Sequence, residues 1–233
     1  MKITGRPYLT LVLAVTLAGT VLSPLTLTPV HSKPSTIKDM PLPQLLEDAN
    51  RSIEAFWQWT AASMRLPRIN SPRLLSKAAG SATACGPVRE AFYCYADNTI
   101  YYDYEFMNEL YNDTGDYAVV TVLAHEWGHC VQAHVVRVKL PSIAIENQAD
   151  CFAGTFTRYA ESQRLLDEDD WDEAMDALYM AGDAKGTPAT AENAHGKSIT
   201  RVDVFRFGYS TNPQACFCEC IRDSLNRYYG AIH

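Results

Sequence analysis

His125 and His129 stand four residues apart in a run without a helix breaker, and this spacing limits the chain more than any other feature. On a helix the two positions lie about 40° apart around the axis, one turn up. Both imidazoles then converge on one metal ion. Glu126, on a neighbouring face, is within reach of a water at that ion. The string His125-Glu126-Trp127-Gly128-His129 is H-E-x-x-H, the residue set of a zinc hydrolase that activates water. Tyr117 to Ala124 is almost wholly apolar, and Cys130 to Lys139 continues without Gly or Pro as far as Pro141. One buried helix is predicted over 117–139.

H-E-x-x-H alone arises by chance in roughly one chain in a hundred, so the following segment has to decide. There Glu146 and Asp150 again stand at i and i+4 and share a face. A carboxylate at 146 completes a His-His-Glu set and leaves the fourth position for water. An aspartate one turn on accepts a hydrogen bond from a ligating imidazole and fixes its tautomer. The longer pattern H-E-x-x-H-x-x-G-x-x-H fails here, because positions 132 and 135 hold Gln132 and Val135. His134 lies about 140° around the helix from His129 and points elsewhere.

His125-Glu-Trp-Gly-His-Cys-Val-Gln132, followed by Glu146-Asn-Gln-Ala-Asp-Cys-Phe-Ala-Gly154, resembles the bacterial putative neutral zinc metallopeptidase family. Other stretches agree in order: Ala84-Cys-Gly86, Phe92-Tyr-Cys-Tyr-Ala-Asp97, Ile100-Tyr-Tyr-Asp103, His195-Gly196, Arg201-Val202 and Phe205. The resemblance covers roughly 84–209. It implies a zincin with Glu as third ligand, and zincins of that kind commonly place a His or Tyr downstream to stabilise the oxyanion. His195 sits at such a place, with a helix cap or an ordinary structural role as the alternative.

A length of 233 residues suits one domain, with or without an appendage. A formal charge of −7 argues against nucleic acid as a partner. Lys2 and Arg6 precede an uncharged segment from Pro7 to Ser32 that is apolar over Tyr8 to Leu22. With the small residues near Val30 to Ser32, this reads as a signal peptide, with a membrane anchor as the alternative. Either places the rest of the chain outside the cytoplasm, and seven cysteines fit that compartment. Cys85 and Cys94 flank a short loop and are expected to pair. Cys130 and Cys151 either cross-link the two motif helices or stay as buried thiols. Cys216, Cys218 and Cys220 lack the C-x-x-C spacing of a metal knuckle.

Residues 33–43, with Pro34, Pro41 and Pro43, read as a linker, and 44–233 as one domain. Helical periodicity runs from Leu45 to Met64, while 65–90 read as largely irregular. Ala91 to Tyr95 and Thr99 to Tyr104 alternate around Asp97-Asn98 as a hairpin. Its tyrosines 93, 95, 101, 102 and 104 either wall a cleft, where an edge strand aligns substrate backbone, or cover the motif helix. Further helices are expected at 142–166, from Asp167 through Met180, at 198–207 with Gly208 as its stop, and from Pro213 through Tyr229. Asp167 to Asp170 suit a helix N-terminus and lack the Gly and closing Glu of a calcium loop.

The fold expected is mainly α with a small β element, a zincin-like metallopeptidase domain. Zn2+ would be held by His125, His129 and Glu146, with Asp150 orienting a histidine. Glu126 would act as general base on peptide or protein substrates, with His195 assisting. The rival is a non-catalytic extracytoplasmic binding or scaffold protein using the metal as a clamp. A clamp fills all four positions with protein and has no need of Glu126.

Overall fold

A computed structural model describes residues 40–136, 142–188 and 195–217. The chain divides after Pro34, and the described residues fall in the second unit, 35–233. The expected targeting segment, Cys218, Cys220 and the end of the last helix lie outside the described residues. Among the described residues no helix is long and apolar enough to cross a membrane.

The architecture is mainly helical with a small sheet, as expected. α1 spans Leu42–Met64 and buries Leu46, Ile53, Phe56 and Trp57. It starts earlier than the linker reading allowed, because Pro43 lies in the first turn, where a missing N–H costs no helical bond. Arg65 ends it in a left-handed conformation, φ 55°, and Leu66 N–H returns to the Ala61 carbonyl at 2.9 Å, a Schellman closure.

The stretch 65–90 is more ordered than its Pro and Gly content suggests. β1, Arg73–Ser76, pairs parallel with β5, Thr99–Tyr102, and short strands β2, Ala82–Thr83, and β3, Gly86–Pro87, pair with each other. β4, Ala91–Cys94, pairs antiparallel with β5 as the expected hairpin, giving a sheet of order β1-β5-β4 with β4 at an edge. Its second strand stops at Tyr102 rather than Tyr104. Asp103 instead caps α2, Tyr104–Asp113, accepting Phe106 N–H at 3.3 Å through Oδ2 and Ala79 N–H at 3.2 Å through Oδ1.

α3, Asp116–Val135, is the central element. Ala118, Val119, Leu123, Trp127 and Val131 are all sealed from solvent, which explains an apolar run with little amphipathic contrast. Trp127 Nε1 donates to Asn50 Oδ1 at 2.8 Å and ties α3 to α1. α4, Ser142–Ser162, packs on α3 and α6. It ends short of the predicted Leu166, because Arg164 takes a φ of 60° and Leu165 N–H closes back on the Ala160 carbonyl. Phe152 and Phe156 on α4 interlock with Trp57 and Phe56 on α1.

α5 is Asp170–Met180, α6 is Ser198–Ser210 and α7 is Pro213–Cys216. Gly208 does not stop α6 but lies inside it. A Cβ there would come 2.0 Å from the Cys151 carbonyl oxygen, and one at Gly154 would come 2.1 Å from that of Phe205. The two glycines let α4 and α6 touch backbone to backbone. The cross-link between motif helices does not form. Cys151 is bonded to Cys216 across 65 residues, and Cys130 is a buried free thiol. Cys85 and Cys94 are bonded, with Cα atoms 5.6 Å apart.

Candidate metal centre

His125 and His129 face the start of α4 from the middle of α3. Gly128 permits this closeness, since a Cβ there would meet Ala149 Cα at 2.9 Å. The imidazole Nε2 atoms lie 3.1 Å apart. Glu146 brings Oε2 to 3.2 Å from His125 Nε2 and Oε1 to 3.5 Å from His129 Nε2. Donors about 2.1 Å from one ion at tetrahedral angles have this mutual spacing.

The Nδ1 atoms settle the tautomers. His125 Nδ1 is 3.3 Å from Arg201 Nη2 but only 2.7 Å from Asp150 Oδ1, a carboxylate that can only accept, so Nδ1 carries a hydrogen. His129 Nδ1 is 2.8 Å from Gln132 Oε1. The Gln132 amide cannot be turned round, because its Nε2 donates to the Ile145 carbonyl at 2.7 Å and to Gln148 Oε1 at 3.1 Å. Each imidazole has its Nδ1 against an acceptor and turns its Nε2 to one point, where Glu146 adds a carboxylate. Without an ion, His125 keeps a proton that Asp150 and Glu146 stabilise, and a cation at that point would take its place. Two imidazoles and one carboxylate, each His backed by an acceptor, suit Zn2+.

The charges follow this geometry. Burial opposes charge on His125, but Asp150 and Glu146 outweigh it and push its pKa up to about 10. Burial and the charge of His125 push His129 down to about 4. Burial works against charge on Glu146 as well, and the bond to His125 overcomes it, down to about 2.

Glu126 also offers an oxygen within 4.8 Å of both imidazoles. Its Oε2 is engaged by the Tyr93 N–H of β4 at 2.7 Å, and Glu146 is the carboxylate that touches both Nε2 atoms. Burial pushes the Glu126 carboxyl up to about 7. The place fits a proton acceptor beside an ion better than a ligand.

Asp150 is fully buried beneath His125. Arg201 on α6 holds it with Nε to Oδ2 at 2.9 Å and Nη2 to Oδ1 at 2.8 Å, and gives Nη1 to the Ala181 carbonyl at 2.9 Å. Burial works against this carboxylate, yet Arg201 and His125 hold it below its usual range. Sequence reasoning placed Arg201 only in a family pattern and gave it no role. The missed signal was an arginine set among Ile199, Val202, Val204 and Phe205 on α6.

A cleft of about 1190 Å³ opens over these groups, lined by His125, Glu126, His129 and Glu146 with Tyr93 and Tyr95 of the hairpin. Tyr95 is 70% exposed there. Tyr93 and Tyr102 pack on the core around α3, whereas Tyr101 is buried against Val88 and Cys94 on the sheet's other side, a place neither expectation named. His195 is on the cleft wall with its side chain half exposed. Its backbone N–H donates to Asp183 Oδ1 at 3.1 Å, and its Nδ1 lies 3.7 Å from that oxygen. His134 turns to the Cys130 carbonyl, away from the centre.

The profile of a family described as "Putative neutral zinc metallopeptidase" matches residues 45–220. The uncharacterized protein YpfJ of Escherichia coli K12 is 32% identical over 62% of this chain and 60% of its own length. The uncharacterized protein Rv2575 of Mycobacterium tuberculosis H37Rv is 29% identical over 71% of this chain and 66% of its own. The chain thus spans less than two thirds of the length of these relatives. No solved structure matches the chain.

Proposed function

This chain belongs to the putative neutral zinc metallopeptidase family, and on that premise we propose that it hydrolyses peptide bonds with zinc held by His125, His129 and Glu146. The observation that carries the reading is the meeting of two imidazole Nε2 atoms and the Glu146 carboxylate beside Glu126, at the floor of an open cleft. When bound, the ion supplies a Lewis acid that polarises a carbonyl and makes water acidic near neutral pH.

The chain's own residues do the rest. Glu126 takes a proton from the attacking water, whose oxygen bonds to the scissile carbon. As the C–N bond breaks, the same carboxyl gives that proton to the leaving amine nitrogen. Tyr93 N–H fixes the Glu126 carboxylate without competing for the proton, because it binds one oxygen only. Asp150 and Arg201 hold His125 in its tautomer, and Gln132 does so for His129. The side of β4 turned away from β5 borders the cleft and suits an extended substrate backbone added as a strand. His195 reaches the carbonyl oxygen from the cleft wall as negative charge builds on it.

The test is metal analysis of the purified protein with digestion of a broad peptide library. Stoichiometric zinc with no cleavage of any peptide would favour the clamp. We further propose that the protein works outside the cytoplasm, a reading supported by the two disulfides. N-terminal sequencing of exported protein should find a start shortly after residue 28, whereas an intact Met1 in the membrane fraction favours an anchor.

A further inference from the structure

A second cluster of ionisable groups lies at the other end of α3. Asp116, Asp170 and Glu173 each offer an oxygen within 4.8 Å of the others. Asp116 opens α3, nine residues before His125 and so about 13 Å along the helix from it. Asp170 and Glu173 come from the first turn of α5, which packs on α3. The Asp167 to Asp170 run does not form a calcium loop by itself, and the cluster instead joins two of its helix's acids to one distant in sequence.

Crowded acids often serve only as helix caps, and two of these do cap. Glu173 accepts Tyr117 N–H at 2.8 Å, and Asp170 accepts Asp167 N–H at 2.8 Å. Capping accounts for Asp116 only in part: its carboxyl also faces the Tyr117 N–H and the Glu173 carboxyl, and one oxygen is left over. The residue is 7% exposed, and its Oδ2 is sealed from water with no hydrogen-bond partner. Ion pairs among the described residues include none of the three. Gly115 makes room for the cluster, since a Cβ there would fall 2.0 Å from Glu173 Cδ. Fully ionised, the three carboxylates would bring a charge of −3, and two helix N-termini return about +0.5 each. About −2 would be left in a buried place, the charge that one divalent cation cancels.

We propose that Asp116, Asp170 and Glu173 bind one calcium ion that pins the N-terminal ends of α3 and α5 together. The donors are all hard oxygens, which suit calcium over zinc. An ion whose oxygens sit about 2.3–2.6 Å away spans donors spread up to 4.8 Å. Magnesium needs a tighter octahedron and gives up its waters reluctantly. Burial and the neighbouring acids also push Asp170 up to about 6 and Glu173 up to about 7, as carboxylates do when they lack a counter-charge.

The experiment takes the zinc-loaded full chain in chelator-free buffer, titrates it with calcium chloride by calorimetry, and melts it with and without calcium. One calcium per chain, a higher melting temperature and unchanged zinc content are expected. Asp170→Asn and Glu173→Gln keep an amide oxygen for the capping bonds while removing charge. Each should abolish the calcium heat, and each should melt no lower than wild type without calcium, because repulsion is relieved. Wild-type protein that takes up no calcium overturns the proposal, as does calcium binding that survives both variants. A protein indifferent to calcium whose melting temperature climbs as pH falls from 7 to 6 holds the cluster by shared protons, and the proposal is then wrong. If one variant does not fold, the other and the wild-type titration still decide.

Discussion

Arg201 grips Asp150 through two parallel hydrogen bonds of 2.8 and 2.9 Å, 51 residues apart in sequence and buried, directly beneath His125. The pair places a fixed charge behind an imidazole that faces the cleft. It is also the contact by which α6, outside both motif helices, acts on the centre.

Arg201→Met takes the guanidinium from a buried Asp150 and leaves it His125 alone as a partner. Breaking a buried pair from one side costs about 3–5 kcal/mol, measurable by urea unfolding. Asp150→Asn keeps the shape but weakens the acceptor behind His125, and zinc affinity should fall about 10–100-fold in a chelator competition. Unchanged affinity in Asp150→Asn would show that this carboxylate supports the fold alone.

Glu126→Gln separates enzyme from clamp. It should retain zinc and much of its stability, and cleave a reporter peptide slower by about 10²–10⁴-fold. His129→Ala should lose zinc and cleavage together. Zinc content and turnover are read for each variant, and full turnover in Glu126→Gln would remove the proton-transfer role.

Gly208→Ala tests the approach of α6 to α4. The added methyl meets the Cys151 carbonyl oxygen at 2.0 Å, a backbone atom that cannot swing aside. Overpacking of this kind costs about 1–3 kcal/mol. The chemical-denaturation midpoint should drop accordingly, and a variant as stable as wild type would mean that the helices separate without penalty.

Cys216→Ala opens a closure of 65 residues. Chain entropy alone puts the loss at about 4 kcal/mol. The melting temperature should fall in non-reducing buffer, and the difference from wild type should shrink once both are reduced.

The central helix and its histidines were legible because they depend on local spacing: an apolar run sets α3, and i, i+4 geometry sets His125 with His129. Glu146 and Asp150 were legible for the same reason on α4. Short elements held by partners were not. β1 exists because β5 lies alongside it, and nothing in Arg73 to Ser76 announces that neighbour. α2 did carry a sign, since Asp103 followed by an acid in the first turn is a helix start; the tyrosines around it carried a strand pattern that masked it. Gly208 read as a stop because a glycine's usual local role is to end helices, whereas here a neighbouring backbone requires it. Cys216 had no distinguishing mark within Cys216, Cys218 and Cys220, so its bond to Cys151 was out of reach.

The two histidines of the centre are not equivalent. Behind His125 stands a carboxylate locked by a guanidinium, and behind His129 stands the neutral amide of Gln132. The first imidazole is thereby the stronger electron donor and the second the weaker. Exchange of an ion would then begin at His129, with His125 and Glu146 holding on until a chelator or a new ion arrives through the cleft. Lability would then sit on one side of the site and retention on the other.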